Sequence, residues 1–210
     1  MLKLFYHPGS CSLASHIALE EAGADYNTVN VSFADGEQRA AEYLKINPKG
    51  RVPALVTDRG VLTENLAILG YIAQTFADAQ LADNEDSFAF GDMQAFNGYI
   101  ASTVHVAFAH AFRAERYADG AAVQAVRAKA PSLVRDAYAL IEDKLADGRP
   151  FVHGQRYTVS DPYLFTMTRW LVRDGMPGLG DFPGAAAHMR RLNGRPAVQR
   201  ALEHEGLKPI

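Results

Sequence analysis

Leu2-Lys3-Leu4-Phe5-Tyr6-His7-Pro8-Gly9-Ser10-Cys11-Ser12-Leu13 opens the chain with a short apolar run, a Pro-Gly break and a cysteine. Leu2–His7 reads as a strand that Pro8-Gly9-Ser10 ends. Ser12–Ala22 is rich in Leu, Ala and Ile and stops at Gly23, the pattern of a helix with a glycine terminator. Cys11 therefore stands between a strand end and a helix start. Working outward, Asn27–Phe33 places Val29, Val31 and Phe33 at period two, a strand. Glu37–Ile46 is helical, and Asn47-Pro48-Lys49-Gly50 ends it. Ala54–Thr57 and Val61–Thr63 flank Asp58-Arg59-Gly60 as a hairpin. Asn65–Phe76 is again a helix. The order βαβαββα defines a small α/β unit over residues 1–77.

Past that point the character changes. Residues 78–86 are rich in Ala, Asp and Asn and read as a linker. Residues 87–210 contain no convincing strand. Phe88–Tyr117, Ala121–Ala146, Asp161–Asp174, Gly184–Asn193 and Pro196–Glu203 all read as helices, so an all-helical unit follows the α/β unit.

Composition removes several classes of function. The chain has 210 residues, of which 48% are hydrophobic and 21% charged, and its net charge is −3. Acidic and basic residues are interspersed without a basic block, which argues against nucleic acid. No apolar run approaches the roughly 20 residues of a membrane helix. Pro8-Gly9 breaks the N-terminal run too soon for a signal peptide. Cys11 is the only cysteine, so an intrachain disulfide is impossible and a reducing, cytoplasmic location is expected.

Three places carry candidate chemistry. Unpaired N–H groups at a helix start stabilise a thiolate, either on Cys11 or on a bound thiol, and the Ser10 and Ser12 hydroxyls add donors. The alternative for Cys11 is a small buried hydrophobe. Ala14 stands where a C-x-x-C motif needs its second cysteine, which excludes a self-contained dithiol cycle. In Arg51-Val52-Pro53-Ala54, a proline at a strand start is a candidate for a cis bond, leaving the Val52 backbone free to pair with an extended peptide. An ordinary trans proline is the alternative. In Thr63-Glu64-Asn65-Leu66, Asn65 is a candidate N-cap, and Glu64 puts a carboxylate beside free N–H donors. That pair can hold both ends of an amino-acid zwitterion, or be a plain cap. Together the sites offer a thiol site, a backbone clamp and a zwitterion clamp, the three needs of a γ-glutamyl-cysteinyl-glycine peptide.

Phe5-Tyr6-His7-Pro8-Gly9-Ser10-Cys11-Ser12-Leu13 with His16-Ile17 strongly resembles the opening of bacterial beta-class glutathione transferases. Ile46-Asn47-Pro48-Lys49-Gly50-Arg51-Val52-Pro53-Ala54-Leu55 resembles their cis-proline segment, and Leu62-Thr63-Glu64 with Ala67-Ile68 their γ-glutamyl site. Thr158-Val159-Ser160-Asp161 with Tyr163-Leu164-Phe165 resembles their folding motif, with the spacing of a capping-box variant. The resemblance implies a thioredoxin-like domain with a mixed four-stranded sheet, an all-α C-terminal domain and a homodimer. It implies conjugation of the glutathione thiol to small, largely apolar electrophiles, with thiol-transferase chemistry through a Cys11 mixed disulfide as a variant. Cys11, Ser10 and His105 take catalytic roles on this reading. Cys11, Arg51, Val52, Pro53, Glu64 and Asn65 bind glutathione.

The chain departs from the family pattern in its helical half. Val106 follows His105 where a lysine is common, Thr103 replaces an acidic residue, and Gly98 aligns with a family asparagine, although Asn97 is adjacent. Tyr99, Val106, Phe108, Phe112 and Trp170 are the candidate second-substrate pocket, or plain core. Tyr6 packs in its strand rather than serving as a thiolate donor. With no H-x-x-x-H motif or Cys/His cluster, no metal is expected. Glutathione-dependent isomerisation, dehalogenation or ether cleavage on the same fold, or a non-catalytic ligand-binding role, are the alternatives.

Overall fold

The computed structural model describes all residues from Met1 to Ile210. Strand β1 (Leu2–Tyr6) is central: β2 (Tyr26–Asn30) joins it in parallel, and β3 (Ala54–Thr57) lies antiparallel on its other side, with β4 (Gly60–Thr63) at the edge. Leu4 pairs with Thr28 and Leu55. Alternation along β1 serves two cores. Leu4 and Tyr6 point into the main one with α1 (Leu13–Glu21) and α3 (Asn65–Thr75). Phe5 faces a smaller cluster of Val31, Tyr43 and Val52, beneath α2 (Ala41–Ile46). The expected Glu37–Ile46 helix is interrupted. Glu37–Arg39 forms a 3-10 turn, Ala40 is extended, and α2 starts after it.

The helical half contains α4 (Ser87–Tyr99), α5 (His105–Phe112), α6 (Ala122–Leu145), α7 (Ser160–Thr168), α8 (Pro183–Asn193) and α9 (Pro196–His204). The sequence suggests one helix over Phe88–Tyr117, but a π-helical turn spans Ile100–Val104. There the Ser102 hydroxyl donates to the Gly98 carbonyl at 2.8 Å, a back-bond of the kind that bends helices. The extra residue of a π turn rotates everything after it, and such turns gather at functional sites. None of the helices is long and apolar enough to cross a membrane.

Every residue of α7 is buried, and one side chain explains how it starts. The Asp161 carboxylate accepts from the backbone N–H groups of Val152 (2.9 Å) and Thr158 (2.7 Å), and from His188 Nε2 (2.9 Å). The Thr158 hydroxyl in turn accepts from the Ser160 N–H at 3.3 Å. This is the reciprocal capping expected from the sequence.

One core of 41 buried residues runs through both halves. The β1–α1 loop is fixed through both backbone groups of Gly9. Gly9 N–H donates to Glu205 Oε2 at 2.8 Å, and the Gly9 carbonyl accepts from the Trp170 indole at 3.0 Å. Glu205 also bonds buried His16 at 2.9 Å. Residues 78–86 are not a loose tether. Leu81 and Ala82 are buried, and the Leu81 carbonyl accepts from Val159 N–H at 2.9 Å.

Candidate functional site

A cleft of about 570 Å³ opens between the loops of the sheet and the wall formed by α5 and the 3-10 segment Arg169–Val172. It gathers Ser10 and Cys11 from the first turn, Arg51-Val52-Pro53 from the entry to β3, and Glu64-Asn65 from the start of α3. His105, Val106, Phe112 and Trp170 face them from the helical half.

Cys11 lies two residues before Leu13, the first residue of α1, and donates its S–H to the Val52 carbonyl at 3.3 Å. The sequence suggests a thiol lowered by the helix start; the structure corrects this. Although part of Cys11 reaches the cleft surface, protein packs densely around the sulfur. Burial pushes the thiol up to about 12, against the smaller lowering effects of a backbone N–H and of Arg113 and Arg51. In this state Cys11 is a neutral donor. Ser10 Oγ lies 2.8 Å from Ser12 Oγ, and Ser12 is buried, so Ser10 alone of the two faces the cleft.

The Val52–Pro53 peptide is cis. The Arg51 carbonyl before it is gripped by the Tyr43 hydroxyl and the Asn47 amide, both at 2.6 Å, which fixes the segment. Gly50 permits the approach. Its φ is +60°, and a Cβ there would sit 2.8 Å from the Gln38 carbonyl.

At the start of α3, Glu64 holds φ +73°, a left-handed backbone that costs a non-glycine residue about 1–2 kcal/mol. Its carboxylate pairs with Lys49 at 2.5 Å. Asn65 is the first helical residue and not the cap. Its buried side chain accepts from Ser15 Oγ at 2.6 Å and donates to the Cys11 carbonyl at 2.7 Å. What Asn65 can offer a ligand is therefore its backbone N–H, which has no intrahelical acceptor.

On the helical wall, His105 packs edge-on against Trp170, with ring centroids 5.2 Å apart. Burial pulls its pKa down to about 4, helped by Arg51, Arg113 and Arg116, so the imidazole is neutral near pH 7. Two expected pocket residues are core instead. Phe108 is fully buried, and the Tyr99 hydroxyl donates to the Ala137 carbonyl on α6 at 2.9 Å. Both precede or follow the π turn at positions that face the bundle rather than the cleft. Sequence reasoning missed His7, Phe33, Arg39, Arg113, Arg116, Tyr117 and Arg173, all in the cleft. His7 stacks on Phe33 at 3.9 Å, and the Arg113 guanidinium lies over the same ring. Tyr6 packs against buried His16, as its strand position suggests. Away from the cleft, His16, Glu20 and His204 bring metal-ligand atoms within 4.8 Å of one another, although Tyr26 and Arg200 already bond the Glu20 carboxylate.

A thioredoxin-like sheet with a backbone clamp, a thiol and a helix N-terminus, closed by a helical bundle, defines a glutathione-site architecture. The comparisons agree. Residues 1–74 match the glutathione S-transferase N-terminal domain model, and residues 124–191 match the C-terminal domain model. Glutathione S-transferase GstA of Escherichia coli O157:H7 is 38% identical over 99% of this chain and 100% of its own length. The solved glutathione transferase homologue from Sulfitobacter, with bound glutathione, superposes with a TM-score of 0.91 at 37% identity, covering 99% of each chain. The beta-class enzyme of Sphingomonas chungbukensis gives 0.85 at 34% identity, over 98% of this chain and 100% of its own. The chain belongs to the glutathione S-transferase family, and its enzymatic class is that of a glutathione transferase.

Proposed function

We propose that the cleft binds glutathione and delivers its sulfur to a small electrophilic carbon seated against α5. The observation that carries this reading is the S–H of Cys11 bonded, at 3.3 Å, to the carbonyl of Val52, next to the cis Val52–Pro53 bond at which an extended peptide can pair. A cysteinyl residue paired to Val52 brings its own sulfur beside Cys11. The glutathione α-amine competes with Lys49 for Glu64, and its α-carboxylate meets the free N–H groups of α3. A thiolate there gains the Cys11 S–H, which turns to it from the Val52 carbonyl, the Ser10 hydroxyl and the positive field of Arg51. The sulfur attacks the electrophilic carbon, the leaving group departs with its bonding pair, and the thiol proton passes to water. Neutral His105 orients polar atoms at the second site without competing for that proton. Holding the glutathione thiol as thiolate near pH 7 is the chief gain.

The elevated Cys11 thiol favours a donor over a mixed-disulfide nucleophile, since a group at about 12 leaves a thiolate fraction on the order of 10⁻⁵ at neutral pH. The same reading divides the chain at residues 77 and 87 and takes the family's homodimer as the working unit. It places that unit in the cytoplasm, where a lone thiol stays reduced. Calorimetric titration with reduced glutathione and conjugation assays on wild type, Cys11→Ser and Cys11→Ala test it. A donor role predicts that Cys11→Ser keeps kcat/KM within about threefold while Cys11→Ala loses about tenfold. Equal loss in both variants makes the sulfur itself essential. Absence of glutathione binding removes the transferase reading.

A further inference from the structure

Five arginines line the cleft, namely Arg39, Arg51, Arg113, Arg116 and Arg173, against a single carboxylate, Glu64, which Lys49 already engages. Elsewhere Arg127, Arg135, Arg149, Arg156, Arg195 and Arg200 each hold a carboxylate, whereas Arg59, Arg169, Arg190 and Arg191 do not. None of the five in the cleft does. In a chain of net charge −3, this is a concentrated positive field at one site.

Glutathione does not account for all five. It carries two carboxylates, and the N–H groups of α3 serve one. Arg39 and Arg51 flank the Gly50 turn on the glutathione side, where Arg39 touches the position of a Gly50 Cβ, and they are placed for the other. Arg173 is already committed. It donates to the Gly9 carbonyl at 3.3 Å and lies over the rings of Phe112 and Trp170. Arg113 and Arg116 remain, at the far end of α5, with no acid in the chain or in glutathione to meet them. Apolar and aromatic groups stand beside them: Phe33 under Arg113, then Phe112, Val106 and Tyr117.

Resting on the transferase reading, we infer that the second substrate is an aromatic electrophile bearing a carboxylate, its ring against Phe112 and Val106 and its carboxylate on Arg113 and Arg116. A guanidinium offers a carboxylate paired N–H donors in matching geometry, which an apolar electrophile leaves unused. Like charges held close without a counter-anion repel, so an arriving carboxylate relieves the pair while the field steers it in. The departures from the family pattern fit. Val106 keeps formal charge off the middle of the wall, and the charge sits about two turns further on, at Arg113.

The test uses 4-chloro-3-nitrobenzoate and 4-chloro-3-nitrobenzamide, nearly isosteric and differing in charge. In both, sulfur forms a C–S bond at the carbon bearing chlorine, the C–Cl bond breaks with its electron pair, and chloride and the thiol proton go to water. Each kcat/KM is divided by the uncatalysed rate with glutathione. Wild type should favour the acid by about tenfold or more. The Arg113→Gln/Arg116→Gln double variant should bring that ratio close to one, chiefly through the electrophile KM. A wild-type ratio near one, or a ratio the double variant leaves unchanged, overturns the inference while amide turnover keeps the transferase reading. If neither halide reacts but glutathione binds, titration of the two finished S-aryl conjugates reads the same preference as affinity, and equal affinities overturn the inference. If glutathione fails to bind, the transferase reading falls. Titration of 4-nitrobenzoate against 4-nitrobenzamide then judges the anion site alone.

Discussion

Two helix starts in this molecule are built in opposite ways. At α7, Thr158 accepts from the first N–H groups, of Ser160 and Asp161, and the fully buried Asp161 carboxylate locks Thr158 in turn, holding Val152 and His188 as well. At α3, Glu64 sits in a left-handed backbone with no side-chain cap, its carboxylate turned toward exposed Lys49, and the first N–H groups are left free. A sealed start has spent its donors on the fold. An open one keeps positive partial charge for an anion from outside. The difference separates a stabilising element from the one proposed to bind glutathione, although both have an acidic residue at or near the helix start.

Breaking the sealed start should have the largest effect. Asp161→Ala leaves His188 and two backbone donors buried without an acceptor, and we expect a loss of about 3–5 kcal/mol in denaturant unfolding. A loss under about 1 kcal/mol would remove the distinction between the two starts. The open start should behave in reverse. Glu64→Gln should raise the glutathione Kd about tenfold while moving stability by less than about 0.5 kcal/mol, because the Lys49 pair is exposed. Unchanged affinity would make Glu64 a bystander. The smallest effect concerns His105 on the opposite wall. Its pKa is depressed from 6.5 to about 4, so the folded state favours the neutral ring. The stability that this supplies is present above pH 6.5 and is lost as pH falls toward 4. Solvent in the cleft screens part of it. His105→Gln should therefore lose about 1 kcal/mol less than wild type over that interval, measured as unfolding free energy against pH.

Local chemistry made much of this legible in the sequence. Pro8-Gly9 and Gly23 bracket α1, Asp58-Arg59-Gly60 turns the hairpin, and the Val52-Pro53 segment announced its clamp. Each depends on the backbone preferences of two or three adjacent residues. The Thr158–Asp161 cap was legible for the same reason, although the reach of Asp161 to His188 was not. The sequence misleads where distant residues decide the outcome. Asn65 looks like a cap by position, but Ser15 and the Cys11 carbonyl claim its side chain from another element. Phe108 and Phe112 are four apart and read alike. Packing against Tyr138 of α6 buries the first, while the second, at the end of α5, stays on the cleft.

Residue order alone determined the α/β unit, the helical unit and the three places proposed to hold glutathione, because turn chemistry and hydrophobic period act over a few residues. Only the tertiary structure decided what those contacts are made of. The ionisation of Cys11 is set by protein packed around it from both halves, against the pull of its own helix start. The convergence of Arg39, Arg51, Arg113, Arg116 and Arg173 comes from segments more than a hundred residues apart in the chain. Charge acts through space and burial depends on every neighbour, so neither is encoded in any window of sequence short enough to read.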